Sequence, residues 1–308
     1  MEEHIEQIQS TETPEQNKKK RTGMSKWIYY SLLAIFGTAF LLGAAYIGMY
    51  FWQTGSAEND YAKLEDIYVA GNSRPSSGAQ STTPTNPQKQ VMLDNLKPIY
   101  EMNNDTVGYI HFPTADVSIS YPVMQSPYDD DFYLTHKFDK TPNVDVAIGC
   151  PYVPLSCDVF APSDNVIIYG HYLRSGGMFA PLAQYTSQEF WQTHQTFYFD
   201  TLYERHTYQI FAVFKTAARQ QYNGEPYGYP YHKQNNFDSP EAFDKFIFDV
   251  KGAAFETGGY TGYSCIETDI YPQYGDKLLC LSTCEYTLKD PYTGEADGRL
   301  VIMAYRID

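Results

Sequence analysis

The sequence predicts a mainly β domain with a few inserted helices, carried behind one apolar helix. Three observations predict it. Residues 28–51 form an uncharged apolar stretch near the N-terminus. From about residue 91 onward, short strand-like runs alternate with Gly, Pro and Asp clusters, the pattern of a β-barrel or β-sandwich. One later segment, opened by Ser239-Pro240-Glu241, changes to helical spacing, with Phe243, Phe246, Ile247, Val250 and Phe255 on its apolar face.

In chain order, residues 1–26 are polar and read as a disordered tail. Five glutamates (Glu2, Glu3, Glu6, Glu12, Glu15) balance five basic residues (Lys18, Lys19, Lys20, Arg21, Lys26). Residues 27–52 carry no charge, and at ~1.5 Å per residue the apolar body 28–51 spans roughly 36 Å, enough for a bilayer core of about 30 Å. Trp27, Tyr29, Tyr30, Tyr50, Phe51 and Trp52 sit at its ends as interfacial aromatics do. A cleaved signal peptide is the alternative, but its apolar region would run only about 7–15 residues. Basic residues precede the span and Glu58 and Asp60 follow it, so the positive-inside rule places the N-terminus in the cytoplasm and the rest outside.

Residues 53–90, ending in a Ser/Thr/Pro-rich stretch, read as a flexible linker, and residues 91–308 as one domain. The formal net charge is −15. Tail and span are neutral, so the excess lies beyond the span and argues against a nucleic-acid partner. At the head of the domain Leu93, Leu96 and Tyr100 recur at helical spacing, with Pro98 either kinking that helix or delaying its start. Strands are expected at Thr106–Phe112, Val117–Met124, Val144–Ile148, Asn165–Tyr169, Thr207–Thr216, Lys277–Leu281 and Arg299–Ile307.

Two of these runs end at reactive residues. Lys277–Leu281 stops at Ser282-Thr283-Cys284, and a cysteine where a buried strand meets a loop suits a nucleophile. After turn material (Lys289–Gly294, Asp297-Gly298) comes Arg299–Ile307. Antiparallel pairing of the two runs sets Cys284 beside Arg299, where a guanidinium favours the thiolate and can hold an oxyanion. Asn165–Tyr169 ends likewise at Gly170-His171, ahead of a Gly-rich loop, and a cysteine and a histidine so placed form a nucleophile–base pair. Arg306 is the rival arginine, read as a solvated terminal charge; His136, His194, His206 and His232 are read as solvated. No zinc-type spacing is present, so no metal is expected. The five cysteines leave one unpaired at least, and Cys150 and Cys157 are close enough in sequence to close a short loop if oxidised.

Leu281-Ser282-Thr283-Cys284 resembles the TLxTC signature of sortases, the membrane-tethered cysteine transpeptidases of Gram-positive bacteria. Tyr169-Gly170-His171 resembles their strand-end histidine and Gly298-Arg299-Leu300-Val301-Ile302 their arginine strand, in the family's order. The helix before the cysteine strand is similar to the class B members. Cys280 stands where the motif usually has Thr, and Pro291–Gly294 lengthens the loop before Arg299. The resemblance implies a closed barrel of about eight strands and catalysis by His171, Cys284 and Arg299 without a cofactor. Ser282, Thr283 and Glu285 would line the substrate groove. The implied partners are proteins bearing an LPxTG- or NPxTx-like sorting signal, an amine of a peptidoglycan cross-bridge or its lipid-linked precursor, and the membrane. A papain-like hydrolase of wall peptides is disfavoured, because those enzymes place Cys before His. A non-enzymatic wall binder is the other alternative, prompted by 29 tyrosines scattered without repeat.

Overall fold

The computed structural model describes residues 25–72, 90–143 and 148–308. The polar tail to residue 24, the linker stretch 73–89 and most of the expected strand Val144–Ile148 lie outside the described residues. The described chain begins with helix α1 (Lys26–Asn72). Up to Met49 its apolar side chains are exposed, and it is long and apolar enough to cross a membrane, with a mean hydropathy of 2.0.

From Tyr50 on, α1 belongs to the compact domain. Ala57, Tyr61, Leu64 and Tyr68, spaced four, three and four apart, form one buried stripe. They pack with Leu96, Ile99, Tyr109, Met124, Tyr133 and Ile148. The expected linker therefore differs here: residues 53–72 are helical and docked. The stripe is present in the sequence, but the intervening Glu58, Asp60, Lys63, Glu65 and Asp66 obscure it. Helix α2 (Lys97–Met102) starts late, with Pro98 in its first turn, where a missing N–H costs nothing.

Among the described residues ten strands follow: β1 (Thr106–His111), β2 (Ser120–Met124), β3 (Asn165–Tyr169), β4 (Thr196–Thr201), β5 (Thr207–Ala217), β6 (Gln221–Tyr222), β7 (Glu225–Pro226), β8 (Gly262–Ser264), β9 (Leu278–Lys289) and β10 (Ala296–Arg306). Eight form one sheet in the order β2-β1-β4-β5-β10-β9-β3, with β8 on β5, while β6 and β7 make a separate ribbon. All pairs in the sheet are antiparallel except β3 with β9.

The two ends of the sheet meet through Tyr152. Its flanking backbone exchanges bonds with Met124 at the end of β2, and Tyr152 exchanges N–H···O bonds with Tyr169 of β3 at 2.8 and 2.9 Å. That single-residue bridge links the last residues of the two outer strands, Met124 of β2 and Tyr169 of β3. Inward residues such as Ile110, Phe199, Phe211, Val213, Leu281 and Ile302 are completely buried or nearly so. Burying each such side chain is worth roughly 1.5–3 kcal/mol.

Short helices α3 (Phe132–Thr135) and α4 (Gln188–Thr193) lie in connections. The long insertion before β9 contains α5 (Pro240–Phe248), a π turn (Asp249–Ala253) and α6 (Ala254–Glu256). Ser239 caps α5, its Oγ accepting from the Ala242 N–H, as the capping start predicts.

Candidate active site

Cys284 lies within β9 and is half-buried. The sequence placed it at a strand end; the structure continues the strand five residues further, to Lys289. Residues 285–289 stay extended because the start of β10 pairs with them, across a turn that Asp290 ties down. The Asp290 carboxylate accepts from the Tyr292 and Thr293 N–H groups and from the Arg219 guanidinium. The remaining strand expectation holds: Arg299 is the register partner of Cys284. Directly opposed residues of an antiparallel pair share a face, so thiol and guanidinium project together. Arg306, seven residues on, is about 24 Å along the strand at ~3.4 Å per residue, and its guanidinium meets His206.

Gly298 leaves room for Glu285, its register partner. A Cβ there would approach Glu285 Oε2 to 2.5 Å. Glu285 is buried, with its carboxylate 2.8 Å from Lys215 Nζ and accepting from the Thr287 and Leu288 N–H groups. Those donors outweigh the cost of burial and hold its pKa down to about 2.

On the other side of β9, β3 runs parallel, with Tyr169 opposite Ser282. The Gly170 N–H donates to the Ser282 carbonyl at 3.0 Å, the last bond of that ladder. His171 lies two residues past the end of β3. Its Nε2 is 2.6 Å from the Leu134 carbonyl at the end of α3. A carbonyl can only accept, so Nε2 carries the hydrogen and Nδ1 is the nitrogen left to exchange a proton. Burial lowers the His171 pKa, against the Leu134 bond, and favours the neutral ring.

The three expected groove residues are all buried. Ser282 Oγ lies 2.7 Å from the Tyr231 hydroxyl. Thr283 turns to the opposite face, its hydroxyl without a partner among the described residues. Glu285 is bound to Lys215 as above. Strand alternation explains two of the three: 283 and 285 face in, while Ser282 shares the face of Cys284 and Tyr286 and is buried beside Tyr231. This burial leaves their side chains little to offer a substrate.

The sequence missed several neighbours. Tyr286 packs edge-on against Tyr172 at 5.3 Å, with the Arg174 guanidinium 5.8 Å from its ring centre, forming a wall beside Cys284. Tyr231 is buried within the electrostatic reach of Arg299 and Cys284. His232, read as solvated, is half-buried, and its pKa is lowered by burial and by Lys233 and Arg299. Tyr231 and His232 reach the site from a segment distant in sequence, and Tyr286 becomes a neighbour because β9 continues past Cys284. Cys150 and Cys157 are free buried thiols with different partners, Tyr61 and the Asn165 carbonyl.

No family model matches the chain. Sortase B of Staphylococcus aureus is 26% identical over 215 residues, covering 68% of this chain and 75% of that protein. Sortase B of Listeria monocytogenes is 28% identical over 209 residues, covering 68% and 72%. A Bacillus anthracis crystal structure described as similar to sortase B superposes with a TM-score of 0.58 at 25% identity, covering 81% of this chain and 95% of that one. Fold and relatives together define a cysteine transpeptidase. Within that class its curated relatives and structural neighbours are class B sortases.

Proposed function

We propose that Cys284 is the nucleophile, Arg299 the oxyanion and peptide holder, and His171 the acid–base group of a reaction on sorting-signal peptides of the LPxTG or NPxTx kind. What supports this reading is the register pairing of Arg299 with Cys284, together with His171 two residues past β3, the strand that pairs with β9 on its other side. The Cys284 thiol gives its proton to His171 Nδ1 as the sulfur attacks the carbonyl after the signal's threonine, and Arg299 faces the oxygen that becomes negative. The C–N bond breaks as His171 protonates the departing amine, leaving a thioester. An incoming amine, from a peptidoglycan cross-bridge or its lipid-linked precursor, gives its proton to His171 and attacks the thioester. A new amide forms and the thiol is released.

In this reading residues 1–26 are cytoplasmic, 27–52 span the membrane, and 91–308 act outside the cell. The apolar helix segment supports the anchor. The test is full-length protein incubated with a panel of sorting peptides, with and without a supplied amine. Cleavage should depend on Cys284, and the amine should be found joined to the threonine. Cleavage that survives Cys284→Ala overturns the nucleophile; water as the only acceptor turns the reading to hydrolysis.

A further inference from the structure

His171 is held at two points. Its Nε2–H donates to the Leu134 carbonyl at 2.6 Å, and its own backbone carbonyl accepts from the Phe179 N–H at 2.9 Å. The side chain that holds it comes from neither strand: both supports lead back to Tyr61 of α1.

The first path runs through the 149–150 segment. Tyr61 Oη lies 2.8 Å from the Gly149 carbonyl and 3.0 Å from Cys150 Sγ. The hydroxyl has one hydrogen, which goes to the carbonyl, so the sulfur must supply its own to the tyrosine oxygen. That fits a thiol whose burial pushes its pKa up to about 12 and keeps it protonated. The Cys150 N–H in turn donates to the Tyr133 carbonyl at 3.0 Å. Gly149 packs so tightly here that any Cβ would collide with the Tyr133 carbonyl and crowd that of Leu134. The layer under the Leu134 carbonyl is therefore rigid, and Tyr61 closes it from behind.

The second path runs through Tyr121. Tyr61 and Tyr121 meet edge to face at 5.4 Å. The Tyr121 hydroxyl accepts from the Met178 N–H at 3.1 Å, and Met178 precedes the Phe179 whose N–H holds His171.

We infer that Tyr61 is a positioning residue for His171, so that the helical segment between the apolar span and the barrel is part of the active-site scaffold. This rests on His171 being the acid–base group. It also makes activity sensitive to the docking of that segment: lifting it off the domain loosens both supports of the imidazole at once.

The test uses the full-length chain in detergent, with a sorting peptide and an amine as substrates. The ¹⁵N resonances of the histidine rings are read in parallel, the His171 signal being assigned by its loss in His171→Gln. Tyr61→Phe keeps the ring and removes the hydroxyl. It should lower kcat about 5- to 20-fold with KM within about twofold, since small misplacements of a reacting group are costly, and it should move the His171 Nε2 resonance. Tyr121→Phe, which cuts the second path, should give a smaller fall of the same kind. Tyr68→Phe is the control: the same helix loses a hydroxyl that donates to Asp200, and kcat and resonance should stay as in the wild type. Wild-type kcat and an unmoved resonance in both Tyr61→Phe and Tyr121→Phe overturn the inference. Full turnover in His171→Gln instead overturns the acid–base reading, and the resonance still decides whether Tyr61 places the ring.

Discussion

The two flanks of Cys284 are built differently. On the Arg299 side the partner comes from the next strand of a hairpin, and a ladder running from Leu278–Tyr305 to Lys289–Ala296 fixes it. On the His171 side the parallel ladder ends at Tyr169, and His171 is held by the Leu134 carbonyl at the end of α3 and by the Phe179 N–H, with the inferred support behind them coming from α1 and β2. One flank is specified by backbone pairing of neighbours, the other by side chains far apart in sequence. Errors on the first should be local and sharp; on the second they should be graded and remote.

The largest expected effect tests the hairpin flank. Arg299→Lys keeps the charge but loses the planar fork, and kcat/KM for a sorting peptide should fall about 100-fold, near 2.7 kcal/mol. Arg306→Lys, on the same strand, should change it less than about twofold. Equal losses in the two would erase the distinction between them.

Next comes Glu285, which supports the same flank from below. Glu285→Gln removes the buried charge that faces half-buried Lys215 and should destabilise the domain by about 2–3 kcal/mol. The pH dependence has a definite sign. The folded pKa of about 2 lies below the usual 4.5, so the contribution is whole above about pH 4.5 and is lost as pH falls toward 2. Urea unfolding across that window should show a steep loss in the wild type and a flatter curve in the variant. Parallel curves would mean that Glu285 is not the group titrating.

Gly298→Ala should have the smallest effect of the three. Its methyl would press on the Glu285 carboxylate and strain the bulge before Arg299, costing about 1–2 kcal/mol and about tenfold in activity. Thermal melts and kcat measured on one preparation check both. A loss confined to stability would show that Arg299 keeps its place without the close approach.

The difference between the flanks is also the difference between what could and could not be read. Cys284 and Arg299 were legible because two strand-like runs separated by a turn pair with each other, and alternation fixes which residues share a face. His171 was legible as a strand-end residue, but nothing local revealed what aims its ring. The mid-strand place of Cys284 was missed because Glu285, Tyr286 and Thr287 read as the start of a loop; their extended shape comes from β10. Ser282, Thr283 and Glu285 were carried to the groove by the motif, and the barrel interior claims two of them.

By itself the sequence determined the apolar helix, the β character of the domain, and the pairing of thiol with guanidinium, because periodicity and hairpin register are short-range. Only the tertiary structure decided that residues 53–72 dock, that Tyr152 links the two outer strands, and that Leu134 and Tyr61 stand behind His171. Those contacts join segments up to about a hundred residues apart, and no local preference of the chain encodes them.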